Sequence, residues 1–127
     1  MLTRKEGLVL YACEGNKSVT KASADHIDVT NSNPLLMLLF VEWLESYYDV
    51  NRTKVHYELK LWKGMNENAE KTYWSYLLGI PFTNYWGTTW VKPSVNFDPL
   101  KHGICKVRYN NTRMKKQLLS EIEKELF

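Results

Sequence analysis

The acid with the most distinctive setting in this sequence is Glu14, which ends a short apolar stretch and precedes Gly15. Thr3 and Glu6 have the spacing of a capping box, which predicts that a helix begins just after Thr3. Gly15 is of the residue type that commonly ends a helix in the left-handed conformation. Glu14 would then lie in the last turn, where the helix dipole disfavours its charge by roughly 0.3–1 kcal/mol. The pattern therefore predicts a positive charge beside Glu14.

Basic side chains form two groups that could neutralise phosphates. Lys60, Lys106 and Arg108 lie in stretches where apolar and polar residues alternate, which predicts that they project from strands. The second group crowds the start of the last helical segment, where backbone N–H groups also favour an anion. It consists of Arg113, Lys115 and Lys116. Acidic residues crowd the end of that segment, opposite to the dipole preference, which favours a phosphate near its start. Ordinary solvated surface charge is the alternative for both groups.

Several other kinds of chemistry are not indicated. The three histidines lack the spacing of metal ligands, and the sequence has no catalytic triad, P-loop or dinucleotide-binding pattern. Cys13 and Cys105 lie far apart, which predicts two free buried thiols and no disulfide. Four tryptophans could stack on unpaired bases, although core and loop packing is the commoner role in a small domain. They are Trp62, Trp74, Trp86 and Trp90.

Composition indicates a single domain over residues 1–127, with 44% apolar residues available for a core. The 17 basic and 14 acidic residues give a net charge of +3, which is compatible with a polyanionic partner but does not require one. No apolar run approaches the roughly 18 residues of a membrane span, and charged residues interrupt the start of the chain. We therefore expect an intracellular protein without membrane association.

The periodicity of the chain predicts four helices and a small sheet. In order, we expect a helix over 3–15, a short hairpin within 16–31, a helix over 35–48, a strand over 55–61, a helix over 66–78, an ordered loop over 82–99, a strand over 103–109 and a helix over 112–126. This order predicts an α+β fold with helices on one face of a mostly antiparallel sheet. The opposite face would carry His26, Thr30, His56, Lys60, Lys106 and Arg108.

The stretch GLVLYACEG at 7–15, followed by elements in this order, resembles a degenerate LAGLIDADG motif and the αββαββα core of LAGLIDADG homing endonucleases. In that family, two motif helices pack together and their terminal acids bind divalent metal ions beside the scissile phosphates. The resemblance implies that Glu14 and Gly15 contribute to a Mg²⁺ site. With one motif copy, it implies a homodimer that reads a nearly palindromic site in double-stranded DNA. Its interface would include Gly7, Val9, Leu10 and Cys13, although Val9 stands where the motif has its inner glycine.

The resemblance also implies two further catalytic positions. Asn31 matches a polar residue after the second strand, although it could simply close a turn. Lys92 is the candidate, ahead of Lys106, for a lysine near the scissile phosphate. The leading hypothesis is thus a Mg²⁺-dependent, site-specific DNA endonuclease. The alternatives are a related DNA-binding regulator without cleavage activity and a small α+β interaction domain that binds no nucleic acid.

Overall fold

The structure is a computed structural model that describes residues 1–19, 25–92 and 101–127. These residues form an α+β arrangement of four α-helices and one mixed four-stranded sheet. The helices are α1 (Arg4–Glu14), α2 (Pro34–Tyr48), α3 (Glu67–Leu78) and α4 (Thr112–Leu126). The strands are β1 (His26–Asn31), β2 (His56–Trp62), β3 (Tyr85–Val91) and β4 (Ile104–Asn110). Short 3₁₀ turns precede β2 at Arg52–Lys54 and β3 at Phe82–Asn84.

Side-chain caps fix the starts of the helices. The Thr3 hydroxyl accepts from the Glu6 N–H while the Glu6 carboxylate accepts from the Thr3 N–H, which confirms the capping box. The side-chain oxygens of Asn33, Asn66 and Asn111 accept from backbone N–H groups in the first turns of the other three helices. The predicted left-handed end of α1 is wrong, because Gly15 is extended, with φ −84° and ψ 160°. Gly15 instead forms an antiparallel bridge with Val29.

The strands lie in the order β1-β4-β2-β3. β4 pairs antiparallel with both β1 and β2, whereas β3 pairs parallel with β2. The predicted loop over 82–99 is therefore wrong over β3, and residues 93–99 lie outside the described part of the chain. Gly87 and a register irregularity between the pairs at Tyr57 and Leu59 break the alternation that would have marked β3 as a strand.

The predicted hairpin within 16–31 is confirmed only for its second strand. Residues 16–19 contain no regular strand, and the bridge between Gly15 and Val29, with the hydrogen bond from the Asn16 N–H to the Asp28 carbonyl at 3.0 Å, is the pairing seen there. Residues 20–24, which belong to the predicted hairpin, lie outside the described residues.

The core lies between the helices and one face of the sheet. Val29, Val107, Tyr57 and Leu59 point from the strands into this layer, and Tyr11, Phe40 and Trp43 meet them from α1 and α2. All are essentially inaccessible to solvent. The helix α1 packs tightly against α2 at Gly7, where an added Cβ would lie 2.0 Å from the Trp43 ring. No helix within the described ranges has both the length and the apolar character needed to cross a membrane.

Candidate nucleic-acid interface

The face of the sheet opposite the core carries the polar residues that alternation predicted. Strand register places Asp28, Arg108 and His56 side by side, and Thr30, Lys106 and Glu58 in the next row. Side chains opposite each other on paired strands project from the same face. The predicted grouping of Thr30, His56, Lys60, Lys106 and Arg108 is thus consistent with the register. Each of these two rows also contains an acid that the predicted set omitted, Asp28 in the first and Glu58 in the second.

One corner of this face is covered. His26 and Asp28 are buried, and the His26 ring nitrogens lie 2.8 Å from Asp25 and 2.8 Å from Asp28. Asn16 donates from its side-chain amide to the same Asp28 carboxylate at 3.1 Å. This corner therefore holds the segment after α1 against β1, and the accessible part of the face is formed mainly by β2, β3 and β4.

An aromatic and basic cluster lies beside the covered corner. The rings of His56 and Trp86 stack with centroids 4.5 Å apart, and the Arg108 guanidinium lies 4.8 Å from the Trp86 ring. Burial and the Arg108 charge lower the pKa of His56 from its usual value. His56 Nδ1 is buried and has no hydrogen-bond partner among the residues that the structure describes. Trp86 remains 45% exposed, so it offers an aromatic surface held in place by its neighbours.

A groove of about 290 Å³ runs along the middle of the face. It is lined by Thr30, Glu58, Leu59, Lys60, Thr89, Ile104 and Lys106. Lys106 Nζ lies 3.4 Å from Glu58 Oε1, and both side chains are about 40% exposed (38% and 42%, respectively). Lys60, Thr30 and Thr89 are exposed on the rim. The groove thus presents cations, hydroxyl groups and one carboxylate to solvent at the same place.

The three basic residues at the start of α4 differ in their exposure to solvent. Arg113 and Lys116 are exposed, but Lys115 is buried. Burial lowers the pKa of Lys115, while the nearby charges of Asp28 and Asp25 act in the opposite direction. The prediction that Lys115 contacts DNA is therefore wrong, because Lys115 is not accessible at the surface.

Glu14 is an exposed acid at the end of α1, next to the edge of the sheet. The bridge between Gly15 and Val29 brings this helix end to β1, and Thr30 of β1 lines the groove. The positive charge expected at the helix end is supplied by Lys17, whose Nζ donates to the Ala12 carbonyl at 2.6 Å. Lys17 therefore stabilises the helix terminus and leaves the carboxylate of Glu14 accessible.

Asn31 and Lys92 lie at opposite edges of the sheet. Asn31 ends β1 and Lys92 follows β3, so three strand spacings, about 14 Å, separate them. Asn31 accepts from the Asn33 N–H at 2.9 Å, which is the turn-closing role considered above. Lys106, by contrast, lies opposite Thr30 on the strand next to β1. Within one chain Lys106 therefore lies closer than Lys92 to the end of α1, and the role of either lysine near a phosphate stays a prediction.

The exposed side of α1 is narrower than the predicted dimer interface. Val9 and Cys13 are exposed, Leu10 is half-buried against the core, and Gly7 is buried under Trp43. Gly7 is therefore unavailable to a partner. Cys105 is buried as expected, but the prediction that Cys13 is also buried is wrong, and both thiols are free.

Sequence reasoning missed Trp86, Thr89 and Glu58 as members of this face. Trp86 and Thr89 were assigned to a loop, and the signal that could have placed them is the run of aromatic and β-branched residues from Tyr85 to Val91. Glu58 lies within the predicted strand over 55–61, and its alternation with His56 and Lys60 was the signal that could have placed it on this face.

Comparisons with known protein families, curated proteins and solved structures found no match to this chain. Within 1–19, 25–92 and 101–127, no group of three or more His, Cys, Asp or Glu side chains is arranged to hold a metal ion. Glu14 and the Gly15 carbonyl are hard oxygen donors of the kind that Mg²⁺ accepts, but they are too few for a complete site within one chain.

Proposed function

We propose that this protein binds double-stranded DNA through the open face of its sheet. The observation that carries the proposal is the position of Lys60 and Lys106 at a polar groove on the side of the sheet away from the helices, with Arg108 one row away on the same face. Cations on one face supply the counterion-releasing contacts that dominate DNA affinity. Hydroxyl groups of Thr30 and Thr89 add neutral donors and acceptors beside them.

The arrangement of the cations favours duplex DNA as the ligand. All three belong to β2 and β4, which form an antiparallel pair in the middle of the sheet. Proteins that read DNA with a β-sheet place strands against a groove of the duplex, and these two strands carry the cations on the face that would approach it. The resemblance of residues 7–15 to the LAGLIDADG motif supports the same ligand.

Salt-dependent binding tests this proposal. The affinity of the protein for a mixed duplex library should fall steeply as salt rises, and Lys60→Ala and Arg108→Ala should each reduce the slope of log K against log salt by about 1. Lys124→Ala is the matched control, because Lys124 is exposed near the end of α4. A protein that binds no duplex DNA at low salt would instead support the interaction-domain alternative.

A second candidate function is Mg²⁺-dependent cleavage of the bound DNA by a homodimer. The specific observation in its favour is the accessible Glu14 carboxylate at the end of a helix whose Val9 and Cys13 side is uncovered by the described residues. Two copies packed along this side would bring two carboxylates together, and a divalent cation would relieve their repulsion. Such an ion, when bound, polarises a phosphate and activates water. The chain's own contribution is to hold Glu14 at the sheet edge.

Cleavage is tested separately from binding. Wild-type protein with Mg²⁺ should nick duplex DNA from a mixed library, whereas Glu14→Gln should bind equally well and leave it intact. Glu123→Gln, an exposed acid of α4, is the control for loss of one negative charge. Equal recovery of intact DNA with wild type and Glu14→Gln would exclude the nuclease and leave a non-catalytic DNA-binding regulator.

A further inference from the structure

The carboxylate of Glu58 lies in an unexpected place for a phosphate-binding surface. It occupies the middle of the groove, opposite Lys106 and on the same strand as Lys60. A carboxylate repels phosphate oxygens, so it opposes backbone contact at this point. Its side chain is 42% exposed, and its contact with Lys106 at 3.4 Å leaves much of the carboxylate open to solvent. Glu58 is therefore suited to accept a hydrogen bond from a DNA group outside the phosphate backbone.

The DNA donor that matches a carboxylate is an amino group on a base edge. In the major groove, cytosine presents N4–H₂, which Glu and Asp accept from, while guanine of the same pair presents the acceptors O6 and N7, to which Lys donates. Glu58 and Lys106 are cross-strand neighbours that place an acceptor and a donor side by side. The order of groups on the protein thus complements the edge of one C·G base pair.

We infer that the Glu58 and Lys106 pair is the base-reading element of the open face and selects a C·G base pair. The inference rests on the proposed DNA binding. Lys60, on the exposed rim, then contacts phosphate and carries affinity without sequence preference. Arg108 lies one row away against Trp86, so its guanidinium is held apart from the Glu58 carboxylate.

A purely structural role is the competing explanation, because an exposed cross-strand ion pair contributes up to about 1 kcal/mol to stability. Base preference separates the two roles. A structural pair changes the unfolding midpoint when it is broken but leaves the sequence of the bound DNA unaltered. A base-reading pair changes which base is chosen at one position.

The experiment is selection of bound duplexes from a randomised library at fixed salt, followed by sequencing. Wild type should enrich one C·G pair in each site, and Glu58→Gln should shift the choice from cytosine towards adenine by roughly tenfold, since Gln pairs with adenine N6 and N7. Lys106→Ala should relax selection at the same base pair. Lys60→Ala should bind more weakly with unchanged preference, and Glu123→Gln should match wild type.

The outcomes distinguish this inference from the function on which it rests. If wild type binds DNA but Glu58→Gln and Lys106→Ala select the same sequences as wild type, the base-reading role is overturned and DNA binding stands. If wild type binds no duplex, the proposed function fails, and the base-reading role with it. Circular dichroism checks that each variant is folded. If Glu58→Gln does not fold, the sequences selected by Lys106→Ala decide whether the pair reads a base.

Discussion

Gly7 is the residue whose missing side chain matters most for packing. A Cβ at this position would lie 2.0 Å from atoms of the Trp43 ring, and Trp43 is fully buried with its indole N–H donating to the Arg4 carbonyl at 3.2 Å. We expect Gly7→Ala to lower the free energy of unfolding by about 2 kcal/mol, since the overpacking outweighs the gain in helix propensity. Urea denaturation measures this change. Cys13→Ala, exposed on the same helix, should alter stability by less than about 0.5 kcal/mol.

His56 should make the stability of the fold sensitive to mild acid. Its pKa is lowered by burial and by Arg108, so protonation favours the unfolded chain, where the pKa returns to about 6.5. The stabilisation is complete above that value and is lost as pH falls towards the lowered folded pKa. His56→Phe keeps a flat ring against Trp86 but does not titrate.

Unfolding free energies measured from about pH 7.5 to about pH 5 test the contribution of His56. The loss on acidification should be smaller in His56→Phe than in wild type. Parallel curves for the two proteins would show that the folded state tolerates the imidazolium and that repulsion from Arg108 is too weak to lower the free energy of unfolding.

The element whose charges are most informative is α4. Its acidic residues lie near the C-terminal end, where the helix dipole disfavours negative charge. Two of them are paired with Arg4 of α1, which lies 2.7 Å from Glu125 and 3.4 Å from Glu121. At the other end, Lys115 is buried near Asp25 and Asp28. Contacts within the chain therefore account for Lys115, Glu121 and Glu125, whereas Arg113 and Lys116 are exposed and a phosphate near them stays a prediction.

Replacing Lys115 separates this structural role from DNA binding. Lys115→Met should destabilise the fold by about 2 kcal/mol, because it removes a nearby positive charge from the buried Asp28 carboxylate. Lys116→Met, at an exposed neighbouring position, should change stability by less than about 0.5 kcal/mol. Thermal and urea unfolding of both variants give the comparison. Equal stabilities would mean that the acids near Lys115 are satisfied without it.

Elements with a single strong local signal could be predicted from the sequence. Asparagine and threonine caps marked the helix starts, and strict alternation marked β2 and β4. β3 was not predictable in this way, because the irregular register near Gly87 and Trp86 interrupts the alternation. Lys115 was misassigned for a related reason, since the acids that attract it come from a strand far away in sequence.

At the scale of the whole molecule, the accessible features form two surfaces that meet at the edge of β1. One is the open face of the sheet, whose position was predicted from period-two alternation in β2 and β4. The other is the outer side of α1, where Val9 is 45% exposed although it is apolar. The bridge between Gly15 and Val29 joins the two surfaces. A second copy on α1 would thus extend the sheet-face interface rather than block it.

Val9→Lys tests whether α1 forms this dimer. In a two-fold interface along α1 each copy would bury Val9 against its partner, so a lysine would place two unpaired charges in the interface and the protein should become monomeric by sedimentation. The slope of log K against log salt for DNA binding should then fall by about half, because one copy neutralises half as many phosphates. Tyr76→Lys, on a strongly exposed site of α3, should leave both measurements unchanged. If Val9→Lys sediments like wild type and keeps its salt slope, the dimer does not form through α1, and two Glu14 carboxylates are not brought together there.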